Sequence, residues 1–168
     1  MLSFDLRALE AKAVQVAGRL SARDPVWDEH DVRPADAVHV TGRLSTAGSG
    51  RFYFSGHMSG HVDTQCRRCL APASLDVKEE LHLLFAEEGT PEAEEPDVYA
   101  IPSRVNSLDL RPAIREQWVL AAPAFALCRE DCKGLCPRCG ADLNLGDCSC
   151  ETTIDPRWSA LRSLRGDA

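Results

Sequence analysis

Eight cysteines are the residues of this 168-residue sequence whose types and spacing best suit chemistry. Two lie in the segment CRRC, and six crowd into residues 128–150, where the segments CREDC, CPRCG and CSC follow one another. Cysteines separated by two or three residues can place both sulfur atoms on one metal ion, and structural zinc sites use four such ligands. In a protein without a secretory signal, this pattern indicates metal binding. The predicted zinc ligands are Cys66, Cys69, Cys128, Cys132, Cys136, Cys139, Cys148 and Cys150.

The eight cysteines divide into two sets of four. The last four, from Cys136 to Cys150, are close enough in sequence to form one compact site. The CREDC pair is then left to join the distant CRRC pair, in a site that would fasten the C-terminal segment to the preceding domain. Two zinc ions, each held by four thiolates, are the leading interpretation. One zinc in the C-terminal cluster, a disulfide or an iron–sulfur centre are the alternatives.

The sequence contains none of the common catalytic motifs. Four thiolates per zinc leave no position for a reactive water, so the zinc sites are expected to stabilise the fold. No phosphate loop, nucleotide fingerprint, nucleophile elbow or H-E-x-x-H motif is present. The five histidines are expected at surface or partly buried positions, and none pairs with a carboxylate at a recognised spacing. We therefore expect neither an enzyme nor a small-molecule substrate.

The elements that must position the cysteines are mostly strands. Residues 37–46 and 51–66 alternate apolar and polar side chains around an AGSG turn, which predicts a β-hairpin. Residues 74–86 predict a third strand, so the first cysteine pair lies in a tight turn between two strands. Gly56 and Gly60 predict a bend or a bulge in the second strand.

Helical patterns flank these strands. The segment FDLRALEAKAVQVAGRL predicts a short helix followed by a strand. A polar connector comes next. Residues 109–122 predict an amphipathic helix with Asp109 as its N-cap, Pro112 in its first turn and apolar residues at every fourth position. A second short helix is predicted to start at Asp155.

The pattern as a whole predicts an α+β fold. It combines a mainly antiparallel β-domain, an amphipathic helix and a C-terminal zinc-ribbon-like segment. Residues 1–126 form the predicted β-rich domain, with the first zinc knuckle and a solvated acidic loop at 86–97. Residues 127–168 form a cysteine-rich zinc-binding tail that ends in a short helix and is stapled to the β-domain.

The charge distribution leaves nucleic-acid binding open. The net charge is −7, and the loop Ala86–Asp97 alone holds six acidic and no basic residues. Basic residues lie between the cysteines, where they either offset the charge of zinc thiolates or contact the phosphates of a nucleic acid. The candidate nucleic-acid-binding residues are Arg67, Arg68, Lys133 and Arg138.

No signal for secretion or for membrane insertion is seen. The first 25 residues carry charges without an apolar stretch, and the longest apolar run, VLAAPAFALC, is far shorter than the roughly 20 residues of a membrane span. We therefore expect a cytoplasmic protein that makes no membrane contact.

The segments VHVTGRL, CRRCL and CKGLCPRCGADLN resemble the YceD family of large ribosomal RNA subunit accumulation proteins, over residues 36–164. The resemblance implies a non-enzymatic factor for 23S rRNA accumulation and large ribosomal subunit assembly. Its implied partners are 23S rRNA or its precursor, large-subunit ribosomal proteins, or both. A zinc-dependent protein-interaction adaptor and a redox-sensing zinc protein are the alternative functions.

Overall fold

The computed structural model describes residues 2–150 and residue 157, in which a mixed β-sheet and two helices precede a cysteine-rich tail. The elements are β1 (Ser3–Asp5), α1 (Leu6–Ala11), β2 (Val14–Ser21), β3 (Ala37–Thr46), β4 (Arg51–Gln65), β5 (Pro72–Glu87), a 3-10 turn (Pro91–Glu94), β6 (Val98–Ile101), β7 (Ser107–Asp109) and α2 (Arg111–Ala121). The short helix predicted from Asp155 lies outside the described residues. Within them, neither helix is long and apolar enough to cross a membrane.

Five strands form the main sheet in the order β2-β3-β4-β5-β6, while β1 and β7 pair separately. The prediction of a mainly antiparallel sheet is correct for the first four strands, but β6 runs parallel to β5. The acidic segment makes this possible, because it carries the chain back along the sheet edge before β6 begins. Its first two residues complete β5 and Pro91–Glu94 form the 3-10 turn, so the prediction of a loop throughout 86–97 is wrong in detail.

The predicted bulge in β4 is also wrong. The strand pairs with β5 in one unbroken register, from Arg51 opposite Ala86 to Gln65 opposite Pro72. The glycines of β4 permit close packing instead. A Cβ on Gly60 would lie 2.9 Å from the ring of Trp118, which is too close for a normal contact. Glycine at this position therefore makes room for the tryptophan ring.

Helix α2 packs against one face of the sheet. Its residues Ile114 and Trp118, and Leu110 just before it, are completely buried, which confirms the predicted apolar face. The predicted cap is wrong, because Leu110 holds the N-cap position. Asp109 instead accepts hydrogen bonds from the backbone N–H and the guanidinium of Arg111, at distances of 2.7–3.0 Å.

The connector between β2 and β3 is fastened to α2 rather than left in solvent. The indole of Trp118 donates to the carbonyl of Val32 at 2.8 Å, and the guanidinium of Arg115 donates to Asp31 at 2.6 Å. That guanidinium holds the pKa of Asp31 below its usual value. Trp27, in the same connector, is 5% exposed and joins the core. The prediction of a merely polar connector missed these interactions.

The opposite face of the sheet is polar and open. The strand registers place four exposed histidines on it, at His39, His57, His61 and His82. The prediction of surface histidines is thus confirmed. Adjacent strands bring His61 within 2.7 Å of Asp76, a pair that no recognised sequence spacing indicates. Along β5, His82 also lies 3.3 Å from Glu80.

Candidate metal centres

The first cysteine tetrad joins the turn between β4 and β5 to the tail. The Sγ atoms of its four residues lie within 4.8 Å of one another. Cys66 and Cys132 are 3.7 Å apart, and Cys69 and Cys128 are 3.6 Å apart. Three of the four side chains are buried, with Leu127 and Leu135 packed against them. This site, called site 1 below, therefore lies in a small core of its own.

The second tetrad, called site 2, is local to the tail. Its four Sγ atoms also lie within 4.8 Å of one another, and its members are Cys136, Cys139, Cys148 and Cys150. Cys136 is buried, whereas Cys139 is exposed and the other two are partly exposed. The structure thus forms the same two sets of four that the sequence predicted, and site 2 is the more accessible of them.

Both tetrads have the dimensions of a site for one tetrahedral metal ion. A zinc ion with Zn–S bonds of about 2.3 Å has sulfur–sulfur edges of roughly 3.8 Å. The edges measured in site 1 are close to that value. All eight cysteines are free thiols, and the sulfur pairs measured in site 1 stand far beyond the ~2.05 Å of a disulfide. Each tetrad can therefore hold a metal ion, and zinc as that ion stays a prediction.

Each site is built on a turn of the same geometry. In the first turn the amide of Leu70 donates to the carbonyl of Cys66 at 2.8 Å, and in the second the amide of Gly140 donates to the carbonyl of Cys136 at 2.9 Å. The residue after the second cysteine is left-handed in both turns, with φ of 60° at Leu70 and 74° at Gly140. Glycine adopts this conformation readily, whereas leucine adopts it at a cost. The sequence identified the glycine but gave no sign that Leu70 takes its place.

Backbone amides and crowded sulfurs give the thiols of one site very different proton affinities. The N–H groups of Cys128 and Cys69 lower the pKa of Cys66 to about 6. In site 2 the N–H of Cys139 does most to lower the pKa of Cys136, also to about 6. Loss of solvation and the adjacent Cys69 thiol raise the pKa of Cys128 to about 12. One thiol in each site is therefore ready to bind a cation near neutral pH, while others must release protons.

The tail is docked to the first turn by hydrogen bonds as well as by sulfur. Arg68 donates from its guanidinium to the carbonyl of Cys132 at 2.8 Å, and its own carbonyl accepts from the amide of Leu135 at 2.9 Å. Gly134 lies between these two hydrogen bonds with φ of 79°. A Cβ on Gly134 would stand 2.9 Å from the Arg68 carbonyl oxygen, so the tail passes over the turn only because this residue is glycine.

Asn144 connects the two sites. It lies in the loop of site 2, yet its amide donates to the sulfur of Cys132 in site 1 at 3.5 Å. Its carbonyl oxygen accepts from the amide of Lys133 and from the guanidinium of Arg129, both at 2.8 Å. Asp142 fixes the same side chain by accepting from its amide at 2.6 Å. Sequence reasoning missed this residue. The Asp-Leu-Asn pattern was an available signal, because an aspartate side chain commonly accepts a hydrogen bond from the backbone N–H two residues later in the chain.

The four candidate RNA-binding residues lie around the sites in different settings. Arg67 extends over the ring of Phe125, whereas Arg68 is used to hold the tail. Lys133 and Arg138 are exposed, and the backbone amide of Arg138 donates to Cys136 Sγ at 3.5 Å. Site 1 brings the Arg67–Arg68 pair beside Lys133. Their role in RNA binding stays a prediction.

The fold and the two tetrads define a mixed-sheet protein whose C-terminal segment is built around two candidate structural metal centres. Residues 54–165, from β4 through both tetrads, match the family model described as large ribosomal RNA subunit accumulation protein YceD. The chain belongs to the YceD family. The resemblance seen in the cysteine motifs is thereby confirmed.

The relatives come from bacteria and from plants. An uncharacterised protein of Mycobacterium tuberculosis is 37% identical over 116 residues, which cover 67% of this chain and 55% of the relative. A Zea mays protein named large ribosomal RNA subunit accumulation protein YCED homolog 1, chloroplastic, is 27% identical over 146 residues, covering 68% of this chain and 49% of the relative. The chain thus spans about half the length of these curated relatives. No solved structure matches it.

Proposed function

We propose that this protein is a non-enzymatic, cytoplasmic assembly factor that supports 23S rRNA accumulation by binding the RNA or its precursor directly. Large-subunit ribosomal proteins are its further partners. The family description and the printed name of the maize relative support a role in large-subunit RNA accumulation. Two zinc ions, one in each tetrad, hold the RNA-binding surface together.

One observation carries the proposal of direct RNA binding. Site 1 brings together two basic segments that are far apart in the sequence, because Arg68 donates to the carbonyl of Cys132, the residue just before Lys133. Arg67 and Lys133 are exposed on either side of this hydrogen bond. Clustered lysine and arginine side chains of this kind bind phosphates and release their counterions.

The acidic segment at 86–97 lies far from this surface. Strand β5 runs from Pro72, close to the first cysteine pair, to Glu87, where the acidic segment begins. Sixteen residues at about 3.3 Å each correspond to roughly 50 Å of strand, several times the Debye length of about 8 Å at physiological salt. The acidic segment therefore leaves phosphate binding near site 1 almost unaffected.

Salt-dependent binding to 23S rRNA fragments tests this function. The variant Arg67→Glu/Lys133→Glu should bind more weakly, and the slope of log affinity against log salt should flatten by about one unit for each phosphate that is no longer neutralised. Its metal content and thermal stability should match the wild type, because neither side chain is a ligand. Charge reversal at Glu94 and Glu95 is the matched control and should not weaken binding. An unchanged salt slope in the basic variant would refute direct RNA binding at this surface.

A protein-interaction adaptor is the second candidate, and one cavity favours it. A cleft of about 530 Å³ lies between β6 and α2, lined by Tyr99, Pro96 and Glu116 among others. Leu120, which is 71% exposed, adds an apolar side chain to its rim. An adaptor would capture a ribosomal protein through this cleft in a complex that survives high salt. Leu120→Glu would then abolish capture, and the variants at Arg67 and Lys133 would have no effect.

A further inference from the structure

The ring of Phe125 lies on the surface beside site 1 with a cation over it. Phe125 is 75% exposed, whereas the next residue, Ala126, is 3% exposed. The guanidinium carbon of Arg67 lies 4.1 Å from the centroid of the ring. The amide of Arg67 also donates to the carbonyl of Ala126 at 2.9 Å. The backbone segments carrying both side chains are therefore tied together, and the ring is presented outward.

This arrangement is unlike that of the neighbouring cations. Arg68 donates to a backbone carbonyl, and Arg129 pairs with Asp131 at 3.2 Å. Within the part of the chain that the structure describes, the guanidinium of Arg67 makes no ion pair with a carboxylate. Its N–H donors therefore remain available to an anion while its central carbon lies over the ring.

We propose that Arg67 and Phe125 together form a stacking platform for an unpaired base of RNA. One face of the ring carries the guanidinium, and the exposed remainder of the ring accepts the base. The N–H groups of Arg67 bind the phosphate next to that base. This inference rests on the proposed RNA binding and specifies its chemistry, which is single-stranded RNA rather than a duplex whose bases are stacked inside.

A base suits this platform better than an apolar side chain does. A guanidinium lying on an aromatic ring makes the patch cationic, so a ligand that combines a flat π surface with a phosphate gains from both groups. An apolar protein side chain would use the ring alone, and it would cover N–H donors that need partners. The backbone of Arg67 is already held by its hydrogen bond to the carbonyl of Ala126. Binding therefore costs less conformational entropy at this residue.

The test measures binding of a labelled single-stranded oligoribonucleotide, and of the same strand in a duplex, over a range of salt concentrations. Wild type should prefer the single strand. Phe125→Ala should weaken that binding roughly tenfold or more without changing the salt slope, because it removes a stack and no charge. Arg67→Gln should weaken binding and flatten the slope by about one unit. Leu145→Ala removes a side chain that is 89% exposed and serves as the matched control, with no effect expected.

A conservative variant and an altered ligand distinguish stacking from a change in fold. Phe125→Trp should retain the affinity of the wild type, and its added fluorescence should be quenched by the RNA. An abasic nucleotide should also be introduced into the oligoribonucleotide at one position at a time. At the position whose base stacks on the ring, this change should weaken the affinity of the wild type but not that of Phe125→Ala. Metal content and thermal unfolding of each variant should equal those of the wild type, since Phe125 lies outside the core.

The outcomes separate this inference from the proposed function. If Arg67→Gln weakens binding and Phe125→Ala does not, the RNA surface stands and the stacking platform is wrong. If wild type binds neither strand nor duplex, both proposals are overturned. If Phe125→Ala leaves RNA binding intact and abolishes capture of a ribosomal protein, the ring serves a protein partner and the inference fails.

Discussion

The side-chain amide of Asn144 donates a hydrogen bond to the sulfur of Cys132, 3.5 Å away, and so links the loop of one tetrad to a ligand of the other. A thiolate that accepts an N–H bond loses part of its charge to the donor, which stabilises a four-thiolate metal centre of formal charge −2. The loop from Gly140 to Asp147 is closed by the cysteines of site 2. A metal ion in site 2 would therefore hold in place a donor that serves site 1.

Removal of this donor should weaken metal retention in site 1. Asn144→Ala should lower metal affinity there by about 10- to 100-fold, as is usual when a residue that supports a ligand is removed. The measurement is the rate of metal transfer to a competing chelator, where the slower of two phases should become faster. Leu145→Ala, which changes an exposed side chain of the same loop, should leave both phases as in wild type. Unaltered slow release in Asn144→Ala would contradict the link.

The grouping of the cysteines could be predicted from the sequence because it follows from spacing alone. Six of the cysteines lie close together in the sequence and two lie far away. The last four can form one local site, and the remaining two then complete a second site with the distant pair. The apolar face of α2 could be predicted for a similar reason, since Leu110 and Trp118 keep a helical period. Interactions made by single polar side chains, such as that of Asn144, have no period and depend on where the chain returns in space.

Other features of the fold were beyond prediction for a physical reason. The parallel pairing of β6 depends on the path of the preceding acidic segment, and four residues of VYAI fit either direction of pairing. Arg68 looked like a surface cation because its partner, the carbonyl of Cys132, is more than sixty residues away in the chain. Trp27 looked like part of a polar connector because its neighbours are charged, yet the ring reaches the core.

The two sites should differ in how much of the structure depends on them. Wild type should contain two zinc ions and eight titratable thiols per chain. Cys66→Ser should expose the tail, because it breaks the site that joins β4 to residues 127–135, whereas Cys148→Ser should loosen only the loop of site 2. Hydrogen exchange at two amides reports the difference: Leu135, bonded to Arg68, and Gly140, bonded to Cys136. If the amide of Leu135 remains protected from exchange in Cys66→Ser, site 1 does not fasten the tail to the β-domain.

Metal binding should weaken as the pH falls. Cys128 and Cys150, with pKa values raised to about 12, must lose protons when a metal binds, whereas Cys66 and Cys136, with pKa values of about 6, are largely ionised at pH 7. Protons therefore compete with the metal throughout the neutral range, and below about pH 6 the two ionised thiols also become protonated. Metal affinity should rise with pH, and it should fall most steeply below pH 6.

The same experiment should show which site loses its metal first. Site 2 has an exposed cysteine and two partly exposed ones, whereas three of the four cysteines of site 1 are buried. As the pH falls, a chelator should therefore remove metal from site 2 at a higher pH than from site 1. Mild peroxide should likewise release metal from site 2 at a lower dose than from site 1. Mass spectrometry of alkylated cysteines would locate the loss, and earlier alkylation of Cys66 than of Cys139 would contradict this order.

The left-handed leucine of the first turn should be replaceable by glycine with a gain in stability. Leu70 has φ of 60° and is 59% exposed, so its side chain contributes little burial to offset the strain. A left-handed non-glycine residue costs about 1–2 kcal/mol, and glycine costs roughly 0.5–1 kcal/mol through its extra freedom in the unfolded chain. Leu70→Gly should therefore stabilise the metal-loaded protein slightly in denaturant unfolding. Gly140→Ala, the reverse change in the second turn, should destabilise it.

Arg67 and Arg68 are adjacent in the sequence, and substitutions at the two positions should have separable effects. Arg68→Gln removes the 2.8 Å hydrogen bond to the carbonyl of Cys132, which should destabilise the docked tail by about 1 kcal/mol and speed hydrogen exchange at Leu135. Arg67→Gln removes a cation that lies over the ring of Phe125 and should change unfolding little.

For RNA binding, the substitution at Arg67 should have the larger effect of the two. Arg67→Gln should flatten the salt dependence of binding, whereas Arg68→Gln should retain the wild-type slope at temperatures where the tail stays docked, because its guanidinium is already engaged with the protein. Denaturant unfolding and salt titration of both variants measure the two effects. Identical behaviour of the two variants in both experiments would mean that the hydrogen bond to Cys132 does not distinguish the roles of these neighbouring arginines.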